Sequence, residues 1–487
     1  MVVEDFRLKV FVAAARLGSF SAAAREFGIT QPAVSRHIGE LEKYTGARLF
    51  LRNGSRMDLT PTGRRLLASA EPILAAYADM DREFMTGGSI LLKGVLNGTS
   101  RANILITDGR FADLDAPDDT RADRVVDASG LAIIPSFFNT HTHAAMTLLR
   151  GYADDLPLKQ WLEDHIWPYE DRLTPDDIRR GSDIAAAEML SSGSTFFSDM
   201  YFDIEQTIES VDQSGMRAAI GITVMENHTK AVEEQKMDFV KNFSDPTGGR
   251  MQLVIAPHSV YTVGEKKLRR AADFARRYGL RLHIHVSETE TEVRDCLREH
   301  GMTPVRYLDS IGFLGPDVIA AHCVHVDRQE WEILSRRRVT VSHCPCSNMK
   351  LGSGRFPYEL AIESGCRITL GTDGASSDNC LDMLQEMKFA ALLAKVQGNP
   401  TLAPAEEVFL WATLNGAEAF GIDAGKIEKG RLADAVLLDL SSPRMNPCHS
   451  LVSNVVYSAD SSCIRAVLCG GRIVFDRDRK YPALPLS

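Results

Sequence analysis

At 487 residues the chain exceeds what one hydrophobic core normally supports, so two or more domains are expected. It has 44% hydrophobic and 25% charged residues, no apolar run near the roughly 18 residues of a membrane span and no secretion-signal pattern, so a cytoplasmic location without a membrane partner is expected. Residues 1–65 carry eleven Lys/Arg against six Asp/Glu, a net of +5 in a chain of net −10, leaving −15 for the remainder; a basic module on an acidic body suggests an attached nucleic-acid-binding unit.

The basic module reads as three helices and a hairpin. Phe6, Val10, Phe11, Ala14 and Leu17 recur at helical spacing, and Gly18 stops the run. Ser19-Phe20-Ser21 caps a second helix that passes Ala22, Ala23 and Phe27 and ends at Gly28. A third starts at Thr30 with Pro32 in its first turn and exposes Gln31, Ser35, Arg36 and His37. Two short strands follow, Leu49 to Arg52 and Met57 to Thr60, with Asn53-Gly54 between them. The run Gly18-Ser19-Phe20-Ser21, Gln31-Pro32-Ala33-Val34-Ser35-Arg36, Leu49-Phe50 and Leu59-Thr60-x-x-Gly63 resembles the winged helix-turn-helix of LysR-type transcriptional regulators. The resemblance implies that DNA is a partner, with Gln31, Pro32, Ser35 and Arg36 on the face that reads the major groove and Arg52 near the wing. It also makes the apolar-periodic stretch from Pro61 to Phe84 a long linker helix through which subunits pair, so a homo-oligomer is expected. Nothing after Thr86 has the two-lobed effector domain of that family, and Gly87-Gly88 makes a break.

From Ser89 the pattern turns to short antiparallel strands at Ile90–Leu92, Ile104–Ile106 and Val125–Asp127, and a matching set returns at Ala435–Leu438, Ile464–Leu468 and Arg472–Phe475. The two half-sets are expected to pair into one small β-sandwich. Between them eight apolar runs, near 131–140, 195–200, 217–225, 252–259, 281–287, 318–324, 339–344 and 367–373, alternate with helical patterns. That spacing fits an α/β fold of the (β/α)₈ TIM-barrel type, whose active sites lie at the C-terminal strand ends. The expected boundaries are 1–60 for the winged helix-turn-helix, 61–86 for the linker helix, 87–134 with 428–487 for the sandwich, and 135–427 for the barrel. Nine cysteines, all beyond position 295, form no disulfide framework, and Cys344 and Cys346 read as barrel-wall residues.

The polar residues gather at those strand ends. His141 and His143, at i and i+2 on one strand, point to the same side and can reach one metal ion. With His285 and Asp373 they make three imidazoles and a carboxylate, a donor set that suits one divalent metal ion, zinc foremost, and leaves room for water. Glu288 can shuttle a proton to a ring nitrogen, His322 can hydrogen-bond a developing oxyanion, and Asp373 can accept a proton from water. His283 and His325 accompany these residues; His165, His228, His300 and His449 read as unremarkable.

Asn139-Thr140-His141-Thr142-His143, Ala256-Pro257-His258-Ser259, His285-x-x-Glu288-Thr289, Ala321-His322-Cys323, Ser347-Asn348-x-Lys350-Leu351 and Gly371-Thr372-Asp373-Gly374 resemble the amidohydrolase superfamily, in its branch of methylthioadenosine/S-adenosylhomocysteine deaminases and chlorohydrolase relatives. One departure is Ser136, where that branch has glycine. The resemblance implies a metal-dependent deaminase of adenosine-type nucleosides, with Trp161 in the substrate pocket, Glu170 on the ribose hydroxyls and His258 on a purine nitrogen. Two alternatives stand beside it: hydrolysis of another amino- or chloro-substituted N-heterocycle, and a ligand-sensing transcriptional regulator, against which an intact proton shuttle at Glu288 argues. Ile222 falls where some relatives carry an arginine for the homocysteine carboxylate, so uncharged 5′-substituents are expected to be preferred unless Lys230 or Arg250 supplies the missing cation.

Overall fold

The computed structural model describes residues 6–27, 29–53, 56–84, 88–396 and 398–478, which separate into two compact units, 1–88 and 89–487. Among the described residues no helix is long and apolar enough to cross a membrane.

The first unit holds helices Phe6–Leu17, Phe20–Glu26 and Gln31–Thr45, a two-stranded ribbon Phe50–Asn53 with Arg56–Leu59, and the helix Pro61–Phe84. Val10, Phe11, Ala14, Ala23, Val34, Ile38 and Leu41 close its core over Leu49 and Phe50, while Leu17, expected inside, is 47% exposed at the helix end. Ser19 Oγ accepts the Ala22 N–H and Thr30 Oγ1 the Ala33 N–H, so the second and third helices start on side-chain caps. The Thr60-x-x-Gly63 pattern has a steric reason. Thr60 Oγ1 accepts the Gly63 N–H at 2.9 Å and donates to the Arg48 carbonyl, and a Cβ on Gly63 would lie 2.2 Å from the Leu49 oxygen. Gly28, Gly54, Thr86, Gly87 and the Arg52 side chain lie outside the described residues.

The second unit is built on a curled, all-parallel sheet of nine strands: β1 (Phe137–His143), β2 (Ser194–Asp199), β3 (Arg217–Val224), β4 (Met251–Pro257), β5 (Arg281–Val286), β6 (Val318–His322), β7 (Thr340–His343), β8 (Arg367–Leu370) and β9 (Asp373–Gly374). β8 pairs with β7, and β9, two residues later, pairs with β1. The strands read as apolar runs because both faces are buried. Phe138, Phe196, Ala219, Val254 and Ile319 pack together with Phe420 in one cluster, and Phe197, Ile220, Ile255, Ile284, Val341 and Ile368 pack in another with residues of the surrounding helices.

The apolar run expected as one strand over 131–140 serves two sheets. Leu131–Pro135 pairs antiparallel with Ala435–Asp439, and Ser136, buried with its hydroxyl 2.6 Å from that of Thr195, leads into β1. The outer half-sets thus join in one eight-stranded sheet. That sheet is mixed rather than antiparallel throughout, because Arg124–Asp127 and Leu131–Pro135 both pair parallel with Ile90–Asn97. Alternation divides the labour along Ala435–Asp439: Ala435 and Leu437 face the core of the small sheet, Val436 and Leu438 the main core.

Candidate active site

β1, β5, β6 and β9 bring polar side chains to one end of the parallel sheet. Ser287, His322 and Asp373 there hold left-handed φ values of 50°, 71° and 62°, a costly backbone for non-glycine residues that re-aims side chains at functional sites. Ligand atoms of His141, His143, His285 and Asp373 lie within 4.8 Å of one another. Asp373 Oδ1 stands 3.4 Å from His141 Nε2 and 3.1 Å from His143 Nε2. His141 Nε2 is buried without a hydrogen-bond partner, an orphaned lone pair that a cation would satisfy.

The opposite ring nitrogens are all engaged. His143 Nδ1–H donates to the Met200 carbonyl (2.6 Å) and His285 Nδ1–H to the His258 carbonyl (2.7 Å). His141 Nδ1 bonds His283 Nε2 at 3.0 Å, and His283 Nδ1 bonds Ser198 Oγ at 3.1 Å. The two carbonyl acceptors fix the tautomers of His143 and His285 that leave Nε2 free for the centre. Burial holds His283 and His285 below the usual imidazole range and so keeps them neutral. Asp373 Oδ2 accepts the hydroxyls of Ser347 (2.7 Å) and Ser377 (3.0 Å), which leaves Oδ1 for the cluster. Three imidazole nitrogens and one carboxylate oxygen fit a zinc-class ion.

Beside this cluster His322 Nδ1–H donates to Asn348 Oδ1 at 2.8 Å, so its Nε2 enters the site as an acceptor, 3.8 Å from Glu288 Oε2. Burial raises the Glu288 carboxyl above the usual carboxylate range. Glu288 is held from both ends. Ser353 Oγ donates to its Oε1 (3.3 Å), and the Glu292 carboxylate accepts the N–H groups of Ser287 and Glu288, each at 2.8 Å. A cavity of about 730 Å³ opens over these groups, with Trp161, Glu170 and His258 in its wall.

A metal-type cluster, a buried carboxyl group beside it and a cavity over both are the parts a hydrolytic site needs. Residues 132–474 match the model of the Amidohydrolase family. The chain belongs to the amidohydrolase family. A 5'-deoxyadenosine deaminase from Methanothermobacter thermautotrophicus is 46% identical over 416 residues, covering 83% of this chain and 96% of its own. The 5-methylthioadenosine/S-adenosylhomocysteine deaminase 1 from Archaeoglobus fulgidus is 47% identical over 359 residues, 73% of this chain and 85% of its own. A crystal structure of an adenosine deaminase from Xanthomonas campestris with bound zinc superposes with a TM-score of 0.73 at 32% identity, covering 79% of this chain and 92% of that one. Residues 6–64 match the bacterial regulatory helix-turn-helix proteins of the lysR family.

The amidohydrolase cavity also holds residues that sequence reasoning missed. Tyr201 donates its hydroxyl to Glu170 Oε1 at 2.7 Å, and burial pushes the Glu170 carboxyl up to about 7 against that bond. His228, read as unremarkable, lines the wall. Ile222 is absent from the cavity wall and packs into the main core. Lys230 is exposed and paired with Glu234, and Arg250 donates to the Val211 and Met216 carbonyls, so neither supplies a cation to the cavity. Lys236 is a residue of the cavity wall; its Nζ donates to Thr223 O and Oγ1 at 2.8 and 2.9 Å, and burial lowers it to about 8. In the first unit Gln31, Pro32, Ser35 and Arg36 are exposed, whereas Val34, Ile38 and Leu41 of the same helix are buried.

Proposed function

We propose that the second unit is a metal-dependent deaminase of adenosine-type nucleosides, joined to a DNA-binding winged helix-turn-helix. The observation that carries the reading is the His141, His143, His285 and Asp373 cluster under the cavity, with Glu288 and His322 beside it. A divalent ion held by those four side chains would supply an activated water. Glu288 would carry one proton to the purine ring nitrogen next to the amino-bearing carbon, His322 Nε2 would orient the attacking oxygen, and Asp373 Oδ1 would take a second proton and pass it to the departing amino nitrogen. Ammonia leaves, and the product is the inosine analogue. Glu170, fixed by Tyr201, accepts the ribose hydroxyls, His258 meets a purine nitrogen and Trp161 packs on the nucleoside.

Architecture belongs to the same reading. We read the curled sheet as a (β/α)₈ barrel over 135–427, a reading that β8 on β7 and β9 on β1 support, and the eight-stranded sheet of 87–134 and 428–487 as the accompanying sandwich. The names of the relatives support adenosine-type substrates over other heterocycles. A panel of nucleosides, guanine, pterins and chlorotriazines, scored for ammonia and chloride, tests this; turnover confined to the non-nucleosides would overturn it.

Lys236 changes the expected order of substrates. We infer that Lys236 can meet the homocysteine carboxylate, which would offset the disadvantage of S-adenosylhomocysteine expected from Ile222. Lys236→Met is expected to lower kcat/KM for S-adenosylhomocysteine by about 1.5–3 kcal/mol, the worth of a hydrogen bond to a charged group, with little change for methylthioadenosine. Equal losses on both substrates would remove Lys236 from carboxylate recognition.

The first unit is proposed to bind DNA through Gln31, Pro32, Ser35 and Arg36, with Arg52 at the wing, and to pair subunits through Pro61–Phe84 in a homo-oligomer. In a mobility-shift assay on the upstream DNA, Arg36→Ala should weaken binding by about 1–3 kcal/mol. Absence of binding by the wild-type chain at low salt would reduce the unit to a structural appendage.

A further inference from the structure

A second group of metal-type ligands lies outside the site described above. Cys346 is on the helix Pro345–Lys350 that follows β7, Asp378 in the segment after β9, and Glu386 on the helix Met383–Lys395; their ligand atoms lie within 4.8 Å of one another. Glu386 has no exposed surface. Its Oε2 accepts the Cys346 N–H at 3.3 Å, while Oε1 is buried without a hydrogen-bond partner, as is Asp378 Oδ2. Two buried carboxyl groups this close cannot both stay charged unless a cation or a shared proton sits between them. Burial accordingly holds both well above the usual carboxylate range. A shared proton would need only the two carboxyl groups. The sulfur of Cys346 adds a third, soft donor, and three such atoms can close on one ion at bonds of about 2.3 Å to sulfur and about 2.0–2.2 Å to oxygen.

We propose that Cys346, Asp378 and Glu386 form a second divalent-metal site for a zinc-class ion, bound through one thiolate and two carboxylates. Its position gives it a structural role. Ser377, next to Asp378, donates to Asp373 Oδ2, so an ion on Asp378 pins the segment that orients Asp373.

Only the second site offers sulfur. Full-length protein stripped by chelation and reloaded with Co²⁺ should bind two equivalents per chain and develop a sulfur-to-cobalt charge-transfer band, which the histidine and aspartate cluster cannot produce. Cys346→Ala and Glu386→Gln should each remove that band and one equivalent. One cobalt per wild-type chain without the band, as two carboxyl groups sharing a proton would give, overturns the proposal. A band that survives Cys346→Ala overturns it as well, by assigning the sulfur to another cysteine. Both readouts are independent of catalytic activity.

Discussion

With glutamine in place of Glu288, kcat for ammonia release should fall by about 10²–10⁴-fold, the range that positioned general acid–base catalysis supplies, while the metal content stays unchanged. Glutamine keeps the shape of the side chain and can still accept the Ser353 hydroxyl. It cannot take a proton from water and pass it to a ring nitrogen. Because the Ser287 and Glu288 backbone is fixed by Glu292 and the side chain stands outside the ligand cluster, the fold and the ion should persist. The loss is therefore expected in kcat with KM little altered, the pattern of an interaction made only in the transition state. Near-normal turnover of a metal-loaded Glu288→Gln protein would remove Glu288 from the proton path.

Removal of the metal should abolish ammonia release, and added Zn²⁺ should restore it. Four ligands gathered from β1, β5 and β9, three of them buried, exist as a set only in the folded chain, so an ion would bind the native state in preference to the unfolded one. At free metal a thousandfold above its dissociation constant that linkage is worth about 4 kcal/mol, so the chelated protein should also melt at lower temperature. Asp373→Asn should behave like chelation. The asparagine carbonyl can still accept the Ser347 and Ser377 hydroxyls, but its amide would then face the Nε2 atoms of His141 and His143. Full activity after complete chelation would contradict the assignment of the cluster.

The parts of this site that could be read from the sequence are those that lie along one strand or end one. His141 and His143 at i and i+2 need no tertiary information to be placed on one side, and His285, His322 and Asp373 stand where apolar runs stop. The cavity wall was harder. Lys236 sits in a helix, Lys230–Asn242, whose dense charge looks like a solvated face, and only the register of that helix against β3 turns it inward to Thr223. Tyr201 and Asn348 matter through partners 31 and 26 residues away, pairings that local pattern does not encode. The run from Leu131 to Phe138 looked like one strand because hydrophobicity does not reveal which sheet a residue joins; the chain changes sheets at Ser136. In the first unit the caps at Ser19 and Thr30 and the Thr60-Gly63 contact are local, and the helix-turn-helix was legible for that reason.

The central claim is that zinc-class chemistry at His141, His143, His285 and Asp373 removes the amino group of an adenosine-type nucleoside. Its most direct test is to incubate zinc-loaded full-length protein with 5′-deoxyadenosine and with methylthioadenosine and to measure ammonia and the inosine analogue together. One ammonia per inosine analogue, formed by the loaded protein and not by the chelated one, is the expected result. Neither product from either nucleoside, in a preparation that holds its metal and turns over guanine or a chlorotriazine, would contradict it.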